Sequence, residues 1–175
     1  VTLTLPSYGK VRDGVPVEPD GYAYRRAALD AVLFPRLVDQ FFKNLRRCAG
    51  FDVQYFSVVE PQKRGAPHLH AALRGAIPRA ILRQVVAATY VQVWWPRFDV
   101  VVYDEGVQPP VWHAGEYVDP TTGAALPTWR ESLDAVAASA DVRPAHVLRF
   151  GRQTDIRGII APSVDADRAI RYLVK

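Results

Sequence analysis

The chain has 175 residues, 49% of them hydrophobic and 23% charged, with a mean hydropathy of −0.05, which describes one soluble globular domain with enough chain for a sizeable core. It contains no apolar run near the roughly 18 residues of a membrane span, and no basic leader or small-residue cleavage site precedes Val1-Thr2-Leu3-Thr4-Leu5-Pro6. The single Cys48 excludes an internal disulfide and a Cys/His zinc cluster, so a reducing, cytoplasmic setting and no membrane partner are expected.

In chain order, Val1–Pro6 reads as a strand, followed by a Gly- and Pro-rich loop through Gly21. Tyr24–Cys48 has apolar residues at helical spacing (Leu29, Val32, Leu33, Leu37, Phe41, Leu45), with Pro35 inside and Gly50 just beyond. Asp52–Glu60 and His68–Arg74 read as adjacent antiparallel strands joined by the loop Pro61-Gln62-Lys63-Arg64-Gly65-Ala66-Pro67. A second helix is predicted over Arg79–Trp95, ending before Pro96, and a strand over Asp99–Tyr103.

Residues 104–140 turn acidic and rich in Pro and Gly, and are too poor in apolar residues for a core of their own. They read as an insertion within a single domain spanning 1–175, with Thr128-Trp129-Arg130-Glu131 shaped as a capping box that opens a helix to about Ser139. Strands are predicted at Val147–Phe150 and Asp155–Ile160. Ser163 then caps a last helix, with Asp165 and Asp167 early and Arg168, Arg171 and Lys175 late, as the helix dipole favours. The chain starts without Met and stops inside a predicted helix, so it reads as a piece of a longer protein.

The net charge of +4 is unevenly placed: residues 1–97 hold 14 Lys/Arg against 7 Asp/Glu, residues 98–175 hold 8 against 11. Arginine outnumbers lysine 18 to 4, and its planar fork suits phosphate, which makes nucleic acid a reasonable partner. Arg25, Arg26, Arg46, Arg47, Lys63, Arg64 and Arg74 are the candidates for tracking its backbone, the first four equally explained as the solvated face of a helix.

Two segments carry candidate chemistry. On a strand, His68 and His70 point to one face while Leu69 packs inward, a bidentate metal platform. If the loop after Glu60 returns as a hairpin, that carboxylate reaches the same face. Two imidazoles and a carboxylate leave open positions for water or a phosphate oxygen and suit Mg²⁺ or Mn²⁺, although imidazoles also take zinc. On the last helix Arg168 and Lys175 bracket Tyr172 at spacings of four and three, which favours a phenolate beside a phosphate. Such a tyrosine can act as a nucleophile; an amphipathic helix with Ile170, Leu173 and Val174 inward and a half-buried tyrosine explains the same pattern.

These segments also resemble a family. His68-Leu69-His70 is similar to the His-hydrophobe-His motif of HUH endonucleases, and Tyr172-Leu173-Val174-Lys175 to their YxxK nucleophile motif. Thr2-Leu3-Thr4-Leu5-Pro6-Ser7 resembles the first Rep motif, with Glu60 at the place of the acidic ligand. The order of motifs matches rolling-circle replication initiators of actinobacterial plasmids and integrative elements rather than relaxases. That resemblance implies an α+β fold with a central antiparallel sheet flanked by helices. It implies metal-assisted nicking of single-stranded origin DNA, here expected as a hairpin, with Tyr172 forming a 5′-phosphotyrosyl adduct and freeing a 3′-hydroxyl. Lys175 would hold or protonate phosphate oxygens, and Lys63, Arg64, Arg74, Arg168 and Arg171 would contact the DNA, with a helicase as a further partner. Competing readings are a non-catalytic DNA-binding module, which treats both motifs as accidental, and an HUH transposase, against which the last helix offers no Gln.

Overall fold

The structure, a computed structural model, describes residues 1–96, 102–104, 106–159 and 163–173. It is α+β, with a four-stranded antiparallel sheet and four α-helices among the described residues. The chain forms two compact units, Val1–Val91 together with Val147–Lys175, and Gln92–His146.

The first unit carries the main sheet. Its strands are β1 (Thr2–Leu3), β4 (Tyr55–Pro61), β5 (Pro67–Leu73) and β10 (Thr154–Asp155), in the order β10, β1, β5, β4. The two-residue Asp13-Gly14 turn, both residues at positive φ, closes a small hairpin of β2 (Val11–Arg12) and β3 (Val15–Pro16) inside the stretch read as loop. Helix α1 (Tyr24–Ala49) runs through Pro35 and stops at Gly50, which takes the left-handed conformation at φ 72°.

Strand alternation divides the sheet's residues between two faces. Leu3, Leu69 and Ala71 are buried with Leu37, Phe41 and Leu45 of α1, and Tyr55 stacks on Phe42 of α1 with ring centroids 3.5 Å apart. The opposite face therefore takes Thr2, Phe56, Val58, Glu60, His68 and His70.

The second helix is shorter than the sequence suggests. Helix α2 is Arg79–Ala88, and Tyr90–Val93, expected as its last turns, forms strand β6 instead. Thr89 marks the switch: it is fully buried, its hydroxyl donates to Val85 O at 2.7 Å, and it accepts from Asn44 Nδ2 at 3.1 Å. Beyond it, Tyr-Val-Gln-Val buries Val91 and Val93 at a period of two, and β-branched and aromatic residues favour the strand. Strand β6 pairs with β9 (His146–Arg149).

The strand expected at Asp99–Tyr103 falls mainly on residues outside those described, and Val102 and Tyr103 lie in a bend. In the second unit β7 (Val111–His113) and β8 (Glu116–Val118) form a hairpin that the sequence reading lacked, and α3 (Trp129–Ala138) begins at the expected Thr128/Glu131 capping box. Of the strand expected at Asp155–Ile160 only β10 forms, Ile160 lying outside the described residues. Helix α4 (Val164–Leu173) is capped by Ser163 Oγ, which accepts from the Ala166 amide at 3.1 Å.

Candidate metal centre

The β4–β5 hairpin sets the site by register. Glu60 lies directly opposite His68, Val58 opposite His70, and the return through residues 62–65 is held by the Gln62 and Ala66 backbones at 2.8 Å. Directly paired residues on antiparallel strands share a face, so the carboxylate and both imidazoles meet. His68 Nε2 and His70 Nε2 are 3.0 Å apart, and Glu60 Oε2 lies 3.6 Å from the first and 3.7 Å from the second. Ligands about 2.1 Å from one ion stand about 3.0 Å apart at a right angle and about 3.4 Å apart at the tetrahedral angle, so this spacing fits one divalent ion after small side-chain shifts. These three residues form a group that could hold a metal.

The surroundings favour a neutral His70 imidazole. Burial, and next the neighbouring His68 charge, lower the His70 pKa below 6.5; Glu60 partly opposes them, and the N-terminal ammonium adds a smaller lowering push. The Thr2 hydroxyl lies 3.0 Å from His70 Nδ1, because β1 pairs Thr2 with His70. A ligating Nε2 offers its lone pair only when Nδ1 carries the proton, and Thr2 Oγ1 is then the acceptor that fixes tautomer and ring together. His68 Nδ1 is buried without a partner among the described residues, so its ring is oriented by packing and by its Nε2 side.

The other residues expected to act are more dispersed. Lys63 is exposed at the hairpin tip. Arg64, beside it, turns back: its Nη2 donates to Leu5 O at 2.6 Å, its Nη1 to Pro6 O at 2.9 Å and its Nε to Gln62 Oε1 at 2.8 Å. Its guanidinium also lies over the Tyr8 ring. Arg74 is exposed and bonded to Gln54 Oε1, while Arg168 and Arg171 are exposed on α4. Arg26 bonds the Ser7 carbonyl and Arg46 pairs with Asp52. Tyr172 is a residue of α4, and Lys175 lies outside the described residues. The first half of α4 lines, through Ala166, a cavity shared with Ala71–Arg74, the residues that follow His70.

One neighbour of the centre was missed by sequence reasoning, Thr2, which becomes visible only when β1 is known to pair with β5.

A family model described as the replication initiator protein of pSAM2, RepSA, matches residues 4–175. No curated protein and no solved structure matches the chain.

Proposed function

We propose that this chain, which belongs to the RepSA family of replication initiator proteins, is an HUH-type endonuclease that starts rolling-circle replication by nicking single-stranded DNA at an origin hairpin. The observation that carries the reading is the convergence of Glu60, His68 and His70 on one sheet face in a chain of that family.

Glu60, His68 and His70 would hold a divalent ion, Mn²⁺ or Mg²⁺, which supplies Lewis-acid polarisation of a phosphate oxygen. Tyr172 would attack phosphorus in line: its Oη–P bond forms, the bond from phosphorus to the 3′-oxygen breaks, and the leaving 3′-oxygen takes up a proton. The products are a 5′-phosphotyrosyl adduct and a free 3′-hydroxyl. Because one phosphodiester replaces another, the reaction can run backwards and reseal the strand. Arg168 and Lys175, four residues before and three after Tyr172 in sequence, would favour the phenolate, and Lys175 would protonate or hold phosphate oxygens. Lys63, Arg74 and Arg171 would track the DNA backbone, with Arg64 acting beside them through the loop it holds. The protein would work in the bacterial cytoplasm, with a helicase as partner. Residues 104–140 would be an insertion on the nuclease domain.

The test is incubation of the protein with a randomised single-stranded DNA library and Mn²⁺, followed by a search for an SDS-resistant adduct. An adduct eliminated by EDTA and by Tyr172→Phe supports the reading. Tight binding that ignores EDTA, with no adduct, replaces it with a non-catalytic DNA-binding module.

A further inference from the structure

Strand β4 forms the outer edge of the main sheet, and among the described residues no strand lies beyond it. The backbone bonds show which of its groups are left over. At the two ends of the β4–β5 ladder the Arg74 amide donates to Gln54 O at 2.9 Å and the Gln62 amide to Ala66 O at 2.8 Å. Bonding alternates along an antiparallel strand, so Phe56, Val58 and Glu60 turn their amides and carbonyls towards β5. Tyr55, Ser57 and Val59 turn theirs outward, away from the sheet. The next strand agrees in parity: Ala71 of β5 exchanges bonds with Val1, on the β1 side.

Sheet edges are usually blunted by a charge, a proline or a bulge that prevents pairing with another chain. Nothing of the kind interrupts Tyr55-Phe56-Ser57-Val58-Val59, and the register with β5 is unbroken from Tyr55 to Pro61. Tyr55, Phe56 and Val59 are exposed. Beside them a groove of about 370 Å³ lies between α1 and β4, lined by Phe34, Val38, Phe42, Tyr55 and Val59 among others.

We propose that this edge is a homodimer interface, in which β4 pairs antiparallel with β4 of a second copy about a two-fold axis at Ser57. What selects a second copy is the strand's complementarity to itself. Turned about Ser57, Tyr55 meets Val59 and Phe56 meets Val58, so each pair flanking the axis joins an aromatic to a β-branched residue, a favourable combination. The outward-facing residues Tyr55, Ser57 and Val59 also fall opposite one another, so their amides and carbonyls bond in pairs. A register shifted by one residue would set them against groups already used by β5. Moving the axis to Phe56 sets Glu60 against Asp52, and moving it to Val58 sets Tyr55 against Pro61, which has no amide to give. Charge favours the Ser57 axis as well. Glu60, the one charged residue of β4, then falls opposite Gln54 of the second copy, whose Oε1 accepts from Arg74 Nη1 at 2.8 Å. A carboxylate thus meets a cation on each side of the axis, and no like charges are opposed. Directly paired residues share a face, so both metal clusters lie on one face of the joined sheet.

The test is sedimentation equilibrium at low ionic strength, without DNA, on the wild type, Ser57→Lys, Ser57→Glu, their equimolar mixture and Ser57→Pro. The wild type should dimerise. Ser57→Lys and Ser57→Glu each set two like charges directly opposite at the axis and should weaken the dimer at least about ten-fold, while their mixture should restore it as a mixed pair. Ser57→Pro removes an amide that points out of the sheet, which an edge strand tolerates, and should give a folded monomer; it keeps the test decisive if the charged variants do not fold. Thermal melting shows which variants are folded. A wild type that stays monomeric up to about 100 µM overturns the proposal, because a specific interface of ordinary size binds more tightly than that. A dimer that survives Ser57→Pro, or charged variants that dissociate alone and fail to associate when mixed, also overturns it by placing the contact elsewhere.

Discussion

Arg64 and Lys63 are adjacent cations in one loop, and the structure separates their roles sharply enough to test. Arg64 spans three chain segments: it bonds the Leu5 and Pro6 carbonyls, the Gln62 side chain and the face of Tyr8, while its own carbonyl accepts from Tyr22 Oη at 2.8 Å. Removing the side chain in Arg64→Ala strips donors from two carbonyls and an amide. Hydrogen bonds to a charged donor contribute about 1.5–3 kcal/mol each when buried, but Arg64 is half-exposed, so about 1 kcal/mol for each carbonyl bond is the fair value. Adding about 0.5–1 kcal/mol for the stacking on Tyr8 gives a loss of about 2.5–3 kcal/mol. In a chain of this size that corresponds to a fall in Tm of about 5–12 °C. Lys63→Ala should stay within about 0.5 kcal/mol, because the side chain is exposed with no such partners among the described residues. It should instead weaken DNA binding and lower the salt dependence by about one counterion. Urea denaturation of both variants, compared by midpoint at constant slope, measures the difference. Equal midpoints for Arg64→Ala and Lys63→Ala would refute the argument that Arg64 holds the loop.

Three more outcomes are expected. Thr2→Val removes the acceptor for His70 Nδ1 and should weaken Mn²⁺ binding about ten-fold by calorimetry, while leaving the fold intact; unchanged affinity would show that the hydroxyl does not orient the ring. The metal-free protein should lose stability as pH falls below 6.5, because His70 has a lowered pKa in the folded state and the unfolded chain then binds more protons; His70→Gln should flatten that part of the stability profile, and an unaltered profile counts against it. Thr89→Val should cost about 1–2 kcal/mol in denaturant, since Asn44 Nδ2 loses its acceptor beside a fully buried position; a neutral substitution would mean that the bond does not tie α1 to α2.

The parts of this molecule that could be read from sequence are those whose cause lies within a few residues. His68-Leu69-His70 reveals its two faces by alternation alone, and the Thr128/Glu131 capping box is complete in four residues. The stripe of α1 is likewise local, because Leu33, Leu37, Phe41 and Leu45 repeat on a helical pitch and are all buried. Tyr90–Val93 was misread because a run of alternating apolar residues after a helix extends the helix pattern on paper. The arbiter is Thr89, whose burial and bonds to Val85 and Asn44 depend on a contact 45 residues away. The Asp13-Gly14 hairpin has a local signal, a two-residue Asp-Gly turn between Val11-Arg12 and Val15-Pro16, that is masked by a stretch dominated by Gly and Pro.

Arg64 shows why the remainder was not legible. In sequence it is a cation in the loop between the strands that carry Glu60 and the His68/His70 pair, and charge alone assigns it to phosphate. In the fold its partners are the carbonyls of Leu5 and Pro6, which are 59 and 58 residues earlier, and no periodicity or motif connects them. The backbone needs explain the choice: a β1 strand only two residues long leaves the carbonyls just beyond it outside the sheet ladder, and polar groups so placed must find a donor. A planar guanidinium with five N–H groups can serve two of them and a neighbouring amide at once, which a lysine cannot. Of its three bonds, the one from Nε to Gln62 Oε1 lies within the loop and the other two tie that loop to Leu5 and Pro6, so an arginine that charge alone assigns to phosphate serves instead to hold the loop it sits in.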